Sequence, residues 1–380
     1  MSMVDSSIPN VTQNLDLGTS QSSGVERSDL AHISNLIVST AEAFAASQNQ
    51  ILGRVGYMAT FSVIIANYND SAYLPDNLNS ILSQSRLPDE ILIIDDGSTD
   101  NSIELIEEYQ KKHPLIRLVR HEKNLGVIAT VREGVLLAKG EFVAIVSADD
   151  LLVEGFCEQM FAHCSNHPEI GICLSNSYYF FEFDFDKRVK HELLSERELQ
   201  RFFSDTTSPK TIPPEVLSSI LKKTFFHLSD TGVVYKRASI LRFGGFDPDL
   251  ECYCDTFLNW QIAFRESVGY VPTAFSAQRR RSRSYSTTRL SDQKRRESIF
   301  SRLLDRIVRE KDLYQKLLDT GHLWVIGNPL WKYLLKHPTK WHLLSGYFKR
   351  YLVRFWRLVE SGRVLDAGKR RISRIWRWAQ

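Results

Sequence analysis

The 380-residue chain is sparing with several residue types, and each scarcity narrows what it can be. It has five cysteines, Cys157, Cys164, Cys173, Cys252 and Cys254, with no paired CxxC spacing. That excludes a cysteine-rich zinc module and argues against a disulfide framework, leaving reduced thiols as the expectation. No run of about 18 apolar residues is present, so no membrane-spanning helix is expected. Met1 to about Glu26 is rich in Ser, Asn, Gln and Asp and lacks a basic start followed by an apolar core, so no secretory leader is expected. These absences predict a cytoplasmic protein that meets a membrane, if at all, only from its inner face.

Charge is short in one region and concentrated in another. The whole chain is +3, yet residues 331–380 hold thirteen Lys/Arg against Glu360 and Asp366, so the first 330 residues are net −8. The same segment has five of the seven tryptophans, Trp331, Trp341, Trp356, Trp376 and Trp378. Cations with Trp and Leu on an opposite face suit a helix lying on an anionic membrane surface, and equally helices packed on an acidic protein surface. No nucleic-acid motif accompanies the charge, so a nucleic-acid partner is not expected.

What is present sorts into four parts. Residues 1–28 have the composition of a disordered tail. Residues 29–56 carry Ile33, Ile37, Ala41 and Phe44 at helical spacing behind Ser28 and predict an N-terminal helix. From 57 to 289 short apolar runs alternate with helical patterns, and 290–380 reads as a helical C-terminal region. The runs FSVIIAN, ILIIDD, IRLVRH and EFVAIVS are nearly continuous in apolar residues, as strands buried on both faces of a parallel sheet are. Helical patterns at 72–84, 102–112 and 126–138 separate them, giving an α/β, Rossmann-like fold with a largely parallel central sheet. Residues 180–225, charged and containing Pro209, Pro213 and Pro214, read as an irregular insertion with short helices.

Ligands of such sheets bind beyond the carboxyl ends of the strands. There the sequence places Asn67-Tyr68-Asn69-Asp70, Asp95-Asp96 and Asp149-Asp150. An acidic pair before a helical pattern is by itself an ordinary helix N-cap, and Asp95-Asp96-Gly-Ser-Thr-Asp is by itself a turn and cap. Polar clusters at successive strand ends change the balance, because a parallel sheet brings them to one edge.

The segments VIIANYND, ILSQSRLPDEILIIDDGSTDNS, NLG followed by AKGEFVAIVSADD, and GGFDPDL resemble, in order and spacing, the signature segments of glycosyltransferase family 2, whose fold is GT-A. The resemblance covers 61 to about 285. It implies a nucleotide-sugar donor, a divalent cation (Mn²⁺ or Mg²⁺) and a saccharide or glycolipid acceptor. By the same resemblance Ala66, Asn67 and Tyr68 line the nucleotide pocket and Asp96 accepts from the base's imide N–H, with Asp95 its structural neighbour; a UDP- or dTDP-sugar fits that reading. Asp149 contacts the ribose and Asp150 the metal bridging the phosphates, while Ser147 stands where the family usually has a first aspartate.

The family's Glu-Asp pair falls on Cys254-Asp255, making Asp255 the expected general base, with a helix cap as its other reading. Arg132, one position off the family's arginine, is either a phosphate contact or a surface helix residue. Gln278-Arg279-Arg280-Arg281 replaces a Tyr-Arg-x-His, so Arg279 and Arg281 are expected at the diphosphate, against the alternative of a plain basic loop. The reading is an inverting glycosyltransferase of surface polysaccharide or glycolipid assembly. Its rivals are a sugar nucleotidyltransferase, disfavoured because NYNDSAYL has neither glycine nor lysine, and a non-catalytic nucleotide-sugar-binding or scaffolding protein.

Overall fold

The computed structural model describes residues 59–344 apart from 225, 229–231 and 282–290. The expected helix over 29–56 lies outside these residues, as does the basic segment from 345 onward.

Ten strands form one sheet: β1 (Phe61–Asn67), β2 (Glu90–Asp95), β3 (Ile116–Arg120), β4 (Phe142–Ser147), β5 (Leu151–Leu152), β6 (Ile170–Phe181), β7 (Asp184–His191), β8 (Lys210–Ile212), β9 (Val234–Lys236) and β10 (Ser267–Arg280). Their order is β3-β2-β1-β4-β9-β6-β10-β5, with β7 beside β6 and β8 beside β10. β1 pairs in parallel with both β2 and β4, and β2 with β3. The short β9 runs antiparallel between β4 and β6, and β6 and β10 are again parallel. The helices Leu74–Leu82, Ser102–Lys112 and Val127–Leu137 make the crossovers.

The apolar runs form these strands because each has a hydrophobic layer on either side. Along β1, Val63 and Ile65 join one core with Ile91, Ile93 and Phe142, while Ile64 joins the other with Leu92, Ile94 and Val143. The two-residue period of a strand produces that sorting. On the Ile64 side, the helix Val127–Leu137 comes down on the sheet at Gly134. A Cβ there would stand 2.5 Å from Ile64 Cγ2, so only glycine permits the contact.

The region 180–225 is more regular than expected. β6 and β7 form a long antiparallel hairpin, followed by the short helix Glu196–Leu199 and the helix Pro214–Lys223. β7 escapes sequence reading because most of DFDKRVKH is exposed, so no buried face imposes an apolar alternation.

After the sheet, the helix Gln293–Arg309 starts at Asp292, whose side chain accepts from the N–H groups of Lys294 and Arg295. Phe300, Leu303, Leu304 and Ile307 on one face enter the Ile64-side core. Arg302 and Arg306 reach Asp247, Asp249 and Glu251. In the described part of the basic segment, Trp331 packs against that core, and Lys336 and Lys340 pair with Glu297 and Asp305. Among the described residues no helix is long and apolar enough to cross a membrane.

Candidate active site

The parallel strands β1, β2, β3 and β4 end at one edge of the sheet, and the polar clusters follow their last residues. At the end of β1, Ala66 is half-buried, Asn67 is buried and Tyr68 is exposed. Asn67 Nδ2 donates to Asp95 Oδ2 at 2.7 Å and to Ser98 Oγ at 3.2 Å. Asp95 also accepts from the Ser98 N–H at 2.9 Å and the Ser98 hydroxyl at 2.6 Å. Asp95 therefore ties the ends of β1 and β2 to the turn at Gly97. That turn has φ +74° at Gly97, and a Cβ there would lie 2.7 Å from the Lys123 carbonyl carbon. Asn67 Oδ1 is a buried acceptor with no protein partner.

Asp96 faces the loop after β3. Its carboxylate accepts from the N–H groups of Leu125 at 2.7 Å and Gly126 at 2.8 Å, and His121 Nδ1 lies 2.8 Å away. The other ring nitrogen of His121 lies 2.7 Å from Glu133 Oε2. Burial pulls the imidazolium of His121 down, but hydrogen bonds to Asp96 and Glu133 outweigh it, so its pKa is raised from 6.5. A raised folded pKa means that this bridge stabilises the fold fully below the unfolded value and progressively less as pH rises through the folded one. Wild type is accordingly expected to exceed His121→Gln in thermal stability by the widest margin below about pH 6.5, with the margin shrinking on the alkaline side. Melting both proteins across that range checks this, and a margin that widens with pH would contradict it.

The second cluster gathers at the end of β4. Asp149 and Asp150 are buried, and the turn carrying them is held from several directions. Asn77, inside the helix Leu74–Leu82, donates from Nδ2 to the carbonyls of Ser147 at 3.0 Å and Asp150 at 2.7 Å. From β10, the Arg279 N–H donates to Asp150 Oδ1 at 2.9 Å, and Arg279 Nε to the Asp149 carbonyl at 2.8 Å. The rest of that guanidinium donates to the Glu182 carbonyl and to Asp76 Oδ2, the latter at 3.1 Å, under the rings of Tyr73, Phe180 and Phe183. Arg279 is therefore a buried brace whose donors are committed to protein groups.

Arg281, two residues on, is only partly buried. Its Nη1 donates to Asp70 Oδ1 at 2.6 Å and its Nε lies 2.7 Å from Asp149 Oδ2, so one guanidinium spans two acids. Burial pushes both acids up: at Asp149 Arg281 pulls back and Asp70 adds repulsion, and at Asp70 Arg281 again opposes. Arg281 is the cation that offsets the repulsion between these two acids.

Among the described residues no three His, Cys, Asp or Glu converge into a ready cation cage. Magnesium-like ions nevertheless take one or two carboxylates together with phosphate oxygens, and Asp149 and Asp150 fit an ion arriving with a diphosphate.

Two further expected residues make hydrogen bonds to the backbone. Arg132 donates from Nη1 to the carbonyls of Phe246 at 2.8 Å and Gly244 at 3.3 Å, fixing the GGFD loop to the helix Val127–Leu137. Asp255 lies in the first turn of the helix Cys254–Ala263, where Oδ1 accepts from the Thr256 N–H at 2.6 Å. Burial, and next the charge of Asp255, push the neighbouring Tyr235 hydroxyl up, keeping it protonated. Sequence reasoning did not single out Tyr73, Asp76, Asn77 or His121. Only Asp76, in the first turn of a helix, had a local signal, and that signal reads as an ordinary cap.

A mixed sheet, parallel through β1 to β4, with acids at the carboxyl ends of β1, β2 and β4 fits the GT-A class. In line with it, residues 1–349 of S. aureus TarS have the same fold, with a TM-score of 0.52 at 19% identity over 70% of this chain and 72% of that one. The same protein with UDP-GlcNAc also gives 0.52, over 68% of this chain and 72% of that one. Residues 62–239 match the family model for glycosyl transferase family 2. The chain therefore carries a glycosyltransferase family 2 domain.

Curated relatives agree. The putative glycosyltransferase EpsH of Bacillus subtilis (strain 168) is 34% identical over 112 residues, 30% of this chain and 32% of its own length. The poly-β-1,6-N-acetyl-D-glucosamine synthase of Staphylococcus epidermidis is 34% identical over 214 residues, 56% of this chain and 48% of its own. The chain thus spans between about a third and a half of these relatives' lengths.

Proposed function

We propose that this chain transfers a sugar, with inversion, from a UDP- or dTDP-sugar to a hydroxyl of a saccharide or lipid-linked acceptor in surface polysaccharide or glycolipid assembly. The observation that carries the reading is the Asp149-Asp150 turn, buried at the end of β4 and gripped by Arg279 and Arg281. The polysaccharide-synthesising name of the S. epidermidis relative and the UDP-GlcNAc bound to TarS support it.

In this reading the base lies near Tyr68, with Asn67 Oδ1 as an available acceptor and Asp96 held in place by His121 and the Leu125 and Gly126 N–H groups. Asp149 faces the ribose, and Asp150, with the diphosphate, would hold Mn²⁺ or Mg²⁺. When bound, that ion would offset the negative charge of the diphosphate. Asp255 takes the acceptor's proton as the acceptor oxygen bonds to the anomeric carbon. The bond from that carbon to the phosphate oxygen breaks, and the electron pair leaves with the nucleoside diphosphate. Arg281 is the arginine placed to follow the departing charge, because Arg279 is committed to the fold.

A thermal-shift panel of nucleotide-sugars tests this. A UDP- or dTDP-sugar with Mn²⁺ at about 100 times its Kd should stabilise the chain by about 2.7 kcal/mol. If no nucleotide-sugar raises the melting temperature with or without Mn²⁺, the reading fails.

A further inference from the structure

The tip of the β6–β7 hairpin exposes two large aromatic side chains, two residues apart in sequence. Phe181 is 69% exposed and Phe183 60%, with Glu182 between them in a left-handed conformation at φ 48°. Water-facing phenylalanines forgo the stabilisation of burial, and a pair at one tip needs a reason.

Their position supplies one. Phe183 stacks on Tyr73 with centroids 5.2 Å apart and planes at 21°. Arg279 lies under both rings, and its Nη1 donates to the Glu182 carbonyl within the hairpin turn. On its other side Arg279 Nε holds the Asp149 carbonyl. One side chain therefore fastens the aromatic tip directly to the Asp149-Asp150 turn, and the platform is continuous with the site.

From this we infer that the hairpin tip is the acceptor subsite, an aromatic platform on which a neutral saccharide lays the apolar face of a sugar ring. The inference deepens the proposed function and rests on it for the word acceptor. The charges around the tip favour a neutral occupant over an anionic one. Lys187 is paired with Asp184 at 2.6 Å and Lys190 with Glu192 at 2.8 Å, while Arg188 lies over the rings of Phe185 and Tyr178. Lys187 and Lys190 are answered by neighbouring acids, and over residues 182–190 Glu182, Asp184 and Asp186 equal Lys187, Arg188 and Lys190 in number, so the tip offers flat apolar rings without a surplus of positive charge. Rigid aromatic surface beside a few fixed polar groups is how proteins commonly seat organic ligands.

The test compares full-length wild type with the double variant Phe181→Ser/Phe183→Ser and the conservative Phe183→Tyr, all with UDP and Mn²⁺ present. The probes are neutral tetrasaccharides of β-linked glucose, N-acetylglucosamine and galactose, read by saturation-transfer NMR and titration. Wild type should bind at least one tetrasaccharide, the double variant at least about tenfold more weakly, and Phe183→Tyr about as well as wild type. Both phenylalanines are largely exposed, so the melting temperature should fall by no more than a few degrees in the double variant, which loses the Tyr73 stacking, and the UDP-induced thermal shift should persist in all three. No tetrasaccharide bound by wild type, or equal binding by the double variant, overturns the inference. Loss in the double variant of sedimentation with phosphatidylglycerol vesicles, without loss of saccharide binding, overturns it in favour of a membrane contact. Failure of the nucleotide-sugar shift in wild type would instead count against the proposed function, since saccharide binding at the tip is measured separately.

Discussion

Asp150→Asn should lower donor turnover by about 10³-fold or more, roughly 4 kcal/mol of transition-state stabilisation, while leaving the fold intact. The substitution is nearly isosteric, and an amide oxygen can still accept the 2.9 Å bond from the Arg279 N–H. What is lost is a buried negative charge, the feature a divalent ion would select. Folding and chemistry should therefore separate: the melting temperature of the free protein stays within a few degrees of wild type, and the extra stabilisation that Mn²⁺ gives in the presence of UDP disappears. Donor hydrolysis and thermal shift on the same preparations read both. Wild-type turnover in the variant would remove Asp150 from the proposed mechanism.

Arg279→Ala should show the opposite pattern, a loss of stability that carries activity down with it. The side chain is buried, and its removal leaves the carbonyls of Asp149 and Glu182 without their donor and Asp76 without its partner. Leaving acceptors without their donor costs about 1–3 kcal/mol each, which together with the lost packing is on the order of 10 °C in melting temperature for a domain of this size. Lysine should not rescue it, because one ammonium cannot reach three acceptors in the planar arrangement that the guanidinium satisfies. A melting temperature unchanged in Arg279→Ala would show that the brace is ornamental. Arg281→Ala, at a more exposed site, should destabilise much less, which separates the two arginines.

Much of the sheet was legible because β1, β2 and β4 are buried on both faces. Two hydrophobic layers demand continuous apolar runs, and FSVIIAN, ILIID and FVAIVS carry them. The strand-end acids were legible through the order of the segments. The way those acids are held was not. Asn77 acts across 70 and 73 residues and Arg279 across 97, 130 and 203, and no local period encodes such distances. The same is true of His121, which looks in sequence like the polar end of β3 and in the fold bridges Asp96 to Glu133. Arg279, expected at a diphosphate, has its donors turned to carbonyls and Asp76; the residue type was informative and its target was not.

The place of β10 in the chain has a consequence for synthesis. This strand is laid between β6 and β5, and among the described residues β5, immediately after Asp150, pairs only with it. A nascent chain that has emerged through β9 already carries Asp70, Asp149 and Asp150, and neither of the arginines that neutralise and orient them. The acidic edge is thus translated more than a hundred residues ahead of its counter-charge. Until the last strand docks, the growing chain holds a sheet whose reactive edge is still unset, so the order of translation puts the completed site last.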